Sequence, residues 1–144
     1  MLIVDDQQSV RVTLEYLLAL DGYRILNAES GPVAVALAEK EPIDGALIDI
    51  HLPVMDGFAT CMRLQALAKT LGRPLRIRFM SGVFSGALKC RSSELGALGV
   101  VTKPVDPAIL SRQIEEAFSP PPPSDSLAPV AKPSDEEADA DSQP

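Results

Sequence analysis

Short apolar runs alternate along the chain with segments whose apolar residues recur every three to four positions. The runs have the length of β-strands, and the longer segments have the period of amphipathic α-helices. In the first helical segment, Val10, Leu14, Leu17 and Leu18 follow one face. The pattern predicts strands at residues 2–4, 23–28, 46–49, 77–81 and 100–102. It predicts helices at 9–20, about 31–40, 57–70, within 84–96, and at 107–118.

Residues that favour helix ends stand at the borders of these segments. Asp21 and Gly22 follow the first helical segment and are typical of a helix end. Ser30 precedes the second and can accept a hydrogen bond from its first backbone N–H groups. Asp106 followed by Pro107 is a typical start for the last helix, since proline lacks an N–H group. The borders therefore support the helix assignments.

Strands that alternate with helices indicate an α/β fold: a doubly wound, five-stranded parallel sheet with five helices on its two faces. The third run, residues 46–49, shows no alternation of apolar and polar positions, as expected for a strand covered on both sides. In such sheets, ligands bind at the carboxyl ends of the strands. Four of the predicted strands end in or run into polar residues there, namely Asp5 and Asp6, Asp49, Ser81 and Lys103.

Charge and proline content divide the chain near residue 119. The whole chain has 144 residues and a formal net charge of −7. Residues 120–144 hold six acidic residues, one lysine, seven of the 13 prolines and no aromatic residue. Such a segment buries too little apolar surface to offset the entropy lost on ordering. We therefore expect one folded domain at 1–119, followed at 120–144 by a disordered, proline-rich acidic tail or linker.

Composition disfavours several classes of protein. No run approaches the roughly 18 apolar residues of a membrane-spanning helix, and a pI of 4.6 argues against non-specific nucleic-acid binding. The apolar start at residues 2–4 is too short for a signal peptide, so we expect a cytoplasmic protein. Cys61 and Cys90 lie in no metal-binding motif. We expect both to be small apolar side chains rather than disulfide partners.

The polar strand ends have a chemistry of their own. Three carboxylates at one sheet edge repel each other unless a proton or a cation lies among them. Carboxylate oxygens suit a hard divalent cation such as Mg²⁺. Together with that cation, Lys103 would neutralise phosphoryl oxygens and Ser81 would donate a hydrogen bond to one of them. Asp49 would then be the nucleophile that attacks phosphorus and forms an acyl phosphate.

Four motifs, in order and with suitable spacing, resemble the receiver domain of two-component response regulators. The resemblance covers residues 1 to about 118 and implies a flavodoxin-like sheet with the strand order 2-1-3-4-5. Its most specific part is the spacing of Asp49, Pro53, Asp56 and Gly57. The motifs are Val4-Asp5-Asp6, the run from Leu47 to Gly57, Met80-Ser81-Gly82 and Thr102-Lys103-Pro104.

The resemblance also implies a role for each site residue. Asp49 matches the phosphoacceptor of the family. Ser81 matches its switch hydroxyl, and Lys103 matches its phosphate-contacting lysine. The ligands of Mg²⁺ that the resemblance implies are Asp5, Asp6, Asp49 and the backbone carbonyl of His51.

By this resemblance, the protein is a phosphorylation-controlled switch, either stand-alone or a fragment. It is not an enzyme, since it catalyses only its own phosphorylation and dephosphorylation. The donor would be a phosphohistidine on a histidine kinase or a histidine phosphotransfer protein. The added charge would change the conformation of a face made of the fourth helix, fifth strand and fifth helix. That face would then bind a downstream protein or a second copy of the chain. No direct contact with nucleic acid or membrane is expected.

Two positions depart from the family pattern, and one follows it. Val100 stands where the family often has Tyr or Phe as an output switch. Arg78 lies in the fourth strand, where family members are mostly apolar. A buried arginine is costly unless paired, so we expect this side chain to reach the surface or a partner. Pro104 matches a proline that in the family often follows a cis peptide bond.

Two other functions stay open on the residues alone. One is a receiver-like interaction module that works without phosphate, which Val100 favours and the complete set of site residues disfavours. The other is a metal-dependent aspartyl phosphohydrolase. Those enzymes have a D-x-D motif at the first strand, whereas Asp5 and Asp6 are adjacent here. The run Asp49-Ile50-His51 does not supply the motif either, because it has a histidine in place of the second acid.

Overall fold

Strands and helices alternate along the chain in a computed structural model, which describes residues 1–83 and 85–118. The alternation confirms the α/β class predicted from the apolar runs. The strands are β1 (Leu2–Val4), β2 (Leu26–Ala28), β3 (Gly45–Asp49), β4 (Arg76–Ser81) and β5 (Val100–Thr102). The helices are α1 (Gln8–Leu20), α2 (Gly31–Lys40), α3 (Gly57–Leu71), α4 (Gly86–Glu94) and α5 (Pro107–Phe118).

All five strands are parallel and lie in the order β2-β1-β3-β4-β5, which confirms the predicted order. β1 and β3 are neighbours, and Val4 pairs with Ile48 near their carboxyl ends. β3 and β4 are also neighbours, with Asp49 opposite Met80. The carboxyl ends of β1, β3 and β4 therefore meet at one edge of the sheet, where α/β proteins bind ligands.

Side chains of successive strand residues point to opposite faces, so the sheet has two separate cores. α2 and α3 cover one face, and α1 and α5 cover the other. The first core includes Val4, Ile48, Ile77 and Phe79 of the strands with Ala34, Ala38, Cys61 and Leu64 of the helices. The second includes Ile3, Leu47 and Met80 with Leu14, Leu18, Leu110 and Ile114.

Short polar side chains begin four of the helices, as the sequence predicts for α2 and α5. Ser30 accepts a hydrogen bond from the Val33 N–H at 3.4 Å. Asp106 accepts bonds from the first turn of α5, while Asp56 and Ser85 accept bonds from the first turns of α3 and α4. Each cap satisfies backbone donors that have no partner inside the helix.

The second strand is shorter than the predicted 23–28. β1 has only three residues to pair with. Leu2, Ile3 and Val4 pair with Leu26, Asn27 and Ala28, respectively. Residues 23–25 consequently have no strand neighbour and form no part of the sheet. Their apolar character has another cause, because Tyr23 and Ile25 pack against the core beneath α1 and α5.

The two cysteines occupy different environments, and neither forms a disulfide bond. Cys61 is buried in the first core, where burial raises the pKa of its thiol to about 11 and makes it unreactive. Cys90 is free and exposed. It lies on α4, which is mostly in solvent, with Ser92 its one buried residue.

The expectations for the end of the chain lie outside the described residues. The predicted boundary at 119 and the predicted tail at 120–144 both follow Phe118, the last residue described. Within residues 1–83 and 85–118, no helix is long and apolar enough to span a membrane.

Arg78 in the middle of β4 is half-buried, between the fully buried Ile77 and Phe79. Its guanidinium lies over Gly99, and a Cβ atom at that glycine would come within 2.6 Å of the Arg78 Nη1 atom. Burial lowers the pKa of the guanidinium, and the charge of Glu116 partly opposes this effect. Among the described residues, the buried Nε atom has no hydrogen-bond partner. The side chain is therefore destabilising in the free domain.

We expect Arg78→Met to stabilise the domain. Methionine keeps most of the apolar stem and removes a buried donor whose missing partner costs about 1–3 kcal/mol. Urea unfolding should show a higher midpoint with an unchanged slope. Arg76→Met is the control, because the exposed Arg76 should change stability by no more than about 0.5 kcal/mol. A lower midpoint for Arg78→Met would contradict the assignment.

Candidate functional site

Three acidic side chains meet at the carboxyl edge of the sheet, as the sequence predicts. One carboxylate oxygen from each of Asp5, Asp6 and Asp49 lies within 4.8 Å of the other two. Asp5 and Asp49 are buried, and Asp6 is exposed. The cluster exists because the ends of β1 and β3 are neighbours in the sheet, although Val4 and its partner Ile48 lie 44 positions apart along the chain.

The two buried carboxylates are held by the same local device. The Gln7 N–H donates to Asp5 Oδ1 at 2.9 Å, and the His51 N–H donates to Asp49 Oδ1 at 3.0 Å. In each case the donor is two residues beyond the aspartate, which is the Asx-turn arrangement of a chain leaving a strand. One oxygen of each carboxylate is thereby fixed by the backbone.

The other oxygen of each carboxylate bonds to one ammonium group. Lys103 Nζ donates to Asp5 Oδ2 at 2.7 Å and to Asp49 Oδ2 at 3.0 Å. Burial alone would lower the pKa of Lys103, but the hydrogen bonds and charges of Asp5 and Asp49 outweigh it and raise that pKa. The protonated lysine therefore stabilises the fold at neutral pH, and this contribution is lost as pH rises through the raised pKa of Lys103.

The backbone around the proline after Lys103 sets where the lysine lies. The peptide bond between Lys103 and Pro104 is cis, as the resemblance implies. The Lys103 N–H also donates to the Ser81 carbonyl at 2.8 Å. The lysine therefore leaves the sheet beside β4, and its side chain reaches across to the ends of β1 and β3.

Ser81 lies at the end of β4 with its hydroxyl turned toward the following loop. Its Oγ donates to the Val83 carbonyl at 2.7 Å and accepts from the Val83 N–H at 3.1 Å. The residue is 1% exposed. The structure thus places Ser81 at the predicted edge, bonded to Val83 rather than to an aspartate.

The remaining predicted residues take up different positions. His51 is exposed, and its backbone N–H bonds to Asp49. Val100 is half-buried and packs against the first core, on the face of the sheet that α2 and α3 cover.

Arg11 is a residue of the site that the sequence did not predict. Its Nη1 atom donates to the Asp5 carbonyl at 2.6 Å and connects α1 to the end of β1. No sequence signal marks that contact, because it depends on the loop conformation.

The start of α3 packs directly on the backbone beside Asp49. A Cβ atom at Gly57 would collide with the Asp49 carbonyl oxygen and would lie 2.6 Å from the Ile50 Cα atom. The Gly57 N–H also donates to the Ile50 carbonyl at 2.9 Å. Glycine is therefore required here for close approach, and the approach closes the loop that follows Asp49.

The same loop contains a strained residue. The Met55 N–H donates to the Pro53 carbonyl at 2.7 Å across Val54, whose φ angle is +69°. Such tight turns are rare, and a positive φ angle is unfavourable for a β-branched residue. The contact at Gly57 anchors the end of the loop and holds this conformation in place.

Carboxylate oxygens form the whole of the acidic cluster, with no sulfur or ring nitrogen among the donors. Three carboxyl groups face one ammonium group, which leaves an excess of negative charge when all are ionised. Carboxylate oxygens can each accept more than one bond, so those that bond to backbone N–H groups or to Lys103 keep acceptor capacity. This donor set fits a hard divalent cation of the size of Mg²⁺.

Comparison with known proteins agrees with this geometry. A family model described as the response regulator receiver domain matches residues 1–115. A probable transcriptional regulator, ycf27 of Guillardia theta, is 34% identical over 126 residues, which cover 82% of this chain and 48% of that protein. Sporulation initiation phosphotransferase F of Bacillus subtilis is 33% identical over 105 residues, covering 73% of this chain and 82% of that protein.

Solved structures with the same fold are also numerous. The chemotaxis protein CheY4 of Vibrio cholerae superimposes with a TM-score of 0.74 at 28% identity, over 81% of this chain and 95% of that one. The receiver domain of Saccharomyces cerevisiae Ssk1, solved in complex with the histidine phosphotransfer protein Ypd1, gives a TM-score of 0.74 at 24% identity, over 81% of this chain and 86% of that chain. At that identity the second likeness concerns the fold alone.

We expect Gly57→Ala to destabilise the domain by about 1–3 kcal/mol, because the new methyl group displaces the backbone at Asp49. Urea unfolding measures the change. Gly86→Ala is the matched control: Gly86 also begins a helix, and a Cβ atom there meets nothing within 4 Å. The control should be neutral or slightly stabilising. Equal effects of the two substitutions would show that the contact is not tight.

We expect Lys103→Met to lower the free energy of unfolding by about 3 kcal/mol in a chelator, because two buried carboxylates then lack their shared cation. Added MgCl₂ should recover more stability in this variant than in the unaltered protein, since the acidic cluster binds the cation without competition. Thermal unfolding with and without MgCl₂ provides the measurement. Lys69→Met, at an exposed position of α3, is the control. A variant as stable as the parent would contradict the bridging role.

Proposed function

The chain belongs to the response regulator receiver domain family of two-component systems, and we propose that it is a phosphorylation-controlled switch in which Asp49 accepts the phosphoryl group. One observation carries the proposal. The Asp49 carboxylate lies at the carboxyl edge of the sheet with one oxygen fixed by a backbone N–H and the other beside a lysine ammonium. A nucleophile held in that way needs only a donor aligned with it.

The chain's own residues supply most of the reaction. An oxygen of Asp49 attacks the phosphorus of a phosphohistidine, the new P–O bond forms as the P–N bond breaks, and the electron pair stays on the leaving imidazole. Lys103 moves from the aspartates toward the phosphoryl oxygens and balances their charge. Asp5, Asp6, Asp49 and the His51 carbonyl would hold Mg²⁺, which when bound neutralises negative charge on the phosphoryl oxygens.

Ser81 would transmit the change to the rest of the domain. To donate a hydrogen bond to the phosphoryl group, its hydroxyl has to give up the bond that it donates to the Val83 carbonyl. The loop before α4 then loses one of its two bonds to the Ser81 side chain. Because Val100 replaces the aromatic residue often found in the family, the signal would pass through this loop rather than through the flip of an aromatic ring.

The partner that donates the phosphoryl group would dock beside the site, on α1. Val12, Tyr16 and Leu20 on its outer face are 57%, 66% and 68% exposed. The two charged residues of α1 are both engaged elsewhere, Arg11 with the Asp5 carbonyl and Glu15 with the Asn27 amide. An uncharged, apolar helix face on a domain of this kind favours contact with another protein.

A groove next to this face continues to the acidic site. It has a volume of about 540 Å³ and lies between α1 and the β5–α5 loop. Val10, Leu14, Pro104 and Val105 supply much of its apolar lining, and Lys103 lies at its end. The Ssk1 receiver in the solved complex has a histidine phosphotransfer protein as its partner. We infer that a histidine kinase or a histidine phosphotransfer protein uses this groove here.

The output would be a protein contact through α4, β5 and α5, with a downstream protein or with a second copy. On this proposal the protein is not an enzyme with a separate substrate, and it works in the cytoplasm. The chain spans 48% of ycf27 and 24% of response regulator PleD of Caulobacter vibrioides. We infer no direct contact with nucleic acid or membrane for residues 1–118.

We expect a small-molecule phosphoryl donor plus MgCl₂ to add one phosphoryl group, and Asp49→Asn to abolish the addition, because the amide is not a nucleophile at phosphorus. Intact-mass spectrometry provides the measurement. Asp44→Asn, at an exposed position away from the cluster, should be labelled like the parent. Labelling that persists in Asp49→Asn would place the nucleophile elsewhere. No labelling of the parent would favour a module that works without phosphate, and turnover of a phosphoester would favour a phosphohydrolase.

A further inference from the structure

The short loop between β1 and α1 carries two of the three acidic side chains of the cluster. It consists of residues 5–7 and leads into a helix without a side-chain cap. The other four helices begin with a serine or aspartate that accepts bonds from the first turn, whereas the Gln7 side chain makes no such bond. The position of this loop therefore depends on other contacts.

Arg11, at the end of the first turn of α1, bonds to both ends of the loop. Its Nη1 atom donates to the Asp5 carbonyl at 2.6 Å, and its backbone N–H donates to the Gln7 carbonyl at 3.2 Å. These two acceptors lie on either side of Asp6, the exposed member of the acidic cluster. One residue of the helix thus restrains the backbone that carries Asp5 and Asp6.

The Arg11 guanidinium binds a carbonyl and not a carboxylate. The ion pairs in the described part of the chain involve Arg24 and Lys103, and Arg11 forms none there. Lys103 uses one oxygen of Asp5 and one of Asp49, so a cation has to share those oxygens with it. Arg11 leaves the carboxylate oxygens to other partners and can stay in place while a cation binds.

Arg11 has two opposite effects on the affinity of the cluster for a cation. Its positive charge, next to the Asp5 carbonyl, repels a divalent ion, although water and salt weaken the repulsion. Its bond restrains the loop, so less conformational entropy is lost when Asp5 and Asp6 bind an ion together. Residues that orient metal ligands without touching the metal typically change its affinity by about 10–100-fold. We therefore expect the restraint to outweigh the repulsion.

We propose that Arg11 is a positioning residue for the cation site, acting through the Asp5 carbonyl to arrange the carboxylates of Asp5 and Asp6 before Mg²⁺ binds. The inference rests on the proposed function only in taking Mg²⁺ as the cation. Arg11 is not among the residues that line the groove between α1 and the β5–α5 loop. Its substitution therefore leaves the lining of that groove unchanged.

Titration of the unphosphorylated protein with MgCl₂, followed by the amide NMR signals of residues 5–7 and 49–51, tests the proposal. Arg11→Met should raise the Kd for Mg²⁺ about tenfold. Arg63→Met removes the same charge from an exposed position on α3 and should leave the Kd within about twofold of the parent value. An unchanged or lower Kd for Arg11→Met would overturn the proposal, and so would a parent that does not bind Mg²⁺.

Arg11→Lys separates the restraint from the charge. Its ammonium keeps the positive charge and a donor on a long side chain, so part of the bond to the Asp5 carbonyl is retained. This variant should bind Mg²⁺ more tightly than Arg11→Met, although it restores a positive charge beside the acidic side chains. Repulsion alone gives the reverse order of the two Kd values, and that order would contradict the positioning role.

Hydrogen exchange in a chelator measures the restraint without any metal. The Gln7 N–H donates to Asp5 Oδ1, and its exchange should become several-fold faster in Arg11→Met because the loop opens more often. Exchange of the Val4 amide in β1 should stay at the parent rate. Equal acceleration at both amides would show a general loss of stability and would count against a local restraint.

Phosphorylation provides a second readout, separate from binding. With a small-molecule phosphoryl donor, Arg11→Met should need about tenfold more MgCl₂ for half-maximal rate and should reach the parent rate at saturating MgCl₂. A rate that stays low at saturation would contradict a role in positioning alone. Because the titration contains no phosphoryl donor, the role of Arg11 and the phosphorylation of Asp49 can fail independently of each other.

Discussion

The lysine ammonium that bridges Asp5 and Asp49 is the interaction on which the site depends. Two buried carboxylates at neighbouring strand ends repel each other, and Lys103 lies within 3.0 Å of both. Its backbone N–H is bonded to Ser81, so one residue connects the ends of β1, β3 and β4. On the proposed function, this ammonium would balance the charge of the phosphoryl group without leaving the pocket.

The site combines fixed and movable parts. Backbone N–H groups at Gln7 and His51 hold one oxygen of each buried carboxylate, and Gly57 holds the loop that follows Asp49 against the end of β3. The hydroxyl of Ser81, by contrast, bonds to Val83 in the loop before α4. That helix has one buried residue, Ser92, so little apolar packing opposes its displacement. On the proposed function, the reacting aspartate would thus lie on the fixed part of the site and the responding loop on the movable part.

The two edges of the sheet carry opposite charge. The carboxyl edge gathers Asp5, Asp6 and Asp49, and the amino edge at β4 carries Arg76 and the half-buried Arg78. Arg78 costs stability because its Nε atom lacks an acceptor among the described residues. Natural proteins tolerate such costs where the group makes a contact that selection maintains.

Local patterns along the sequence determined the ten elements and the parallel sheet and predicted the candidate site residues, because apolar period, capping residues and polar strand ends are encoded within a few positions. The resemblance to receiver domains supplied the strand order. Only the tertiary structure decided what the side chains bond to, namely the bridge of Lys103, the contact of Arg11 and the pairing of Ser81 with Val83. It also decided that β2 begins at Leu26 rather than at Tyr23. Those outcomes depend on distances between segments far apart in the chain, and no local pattern contains them.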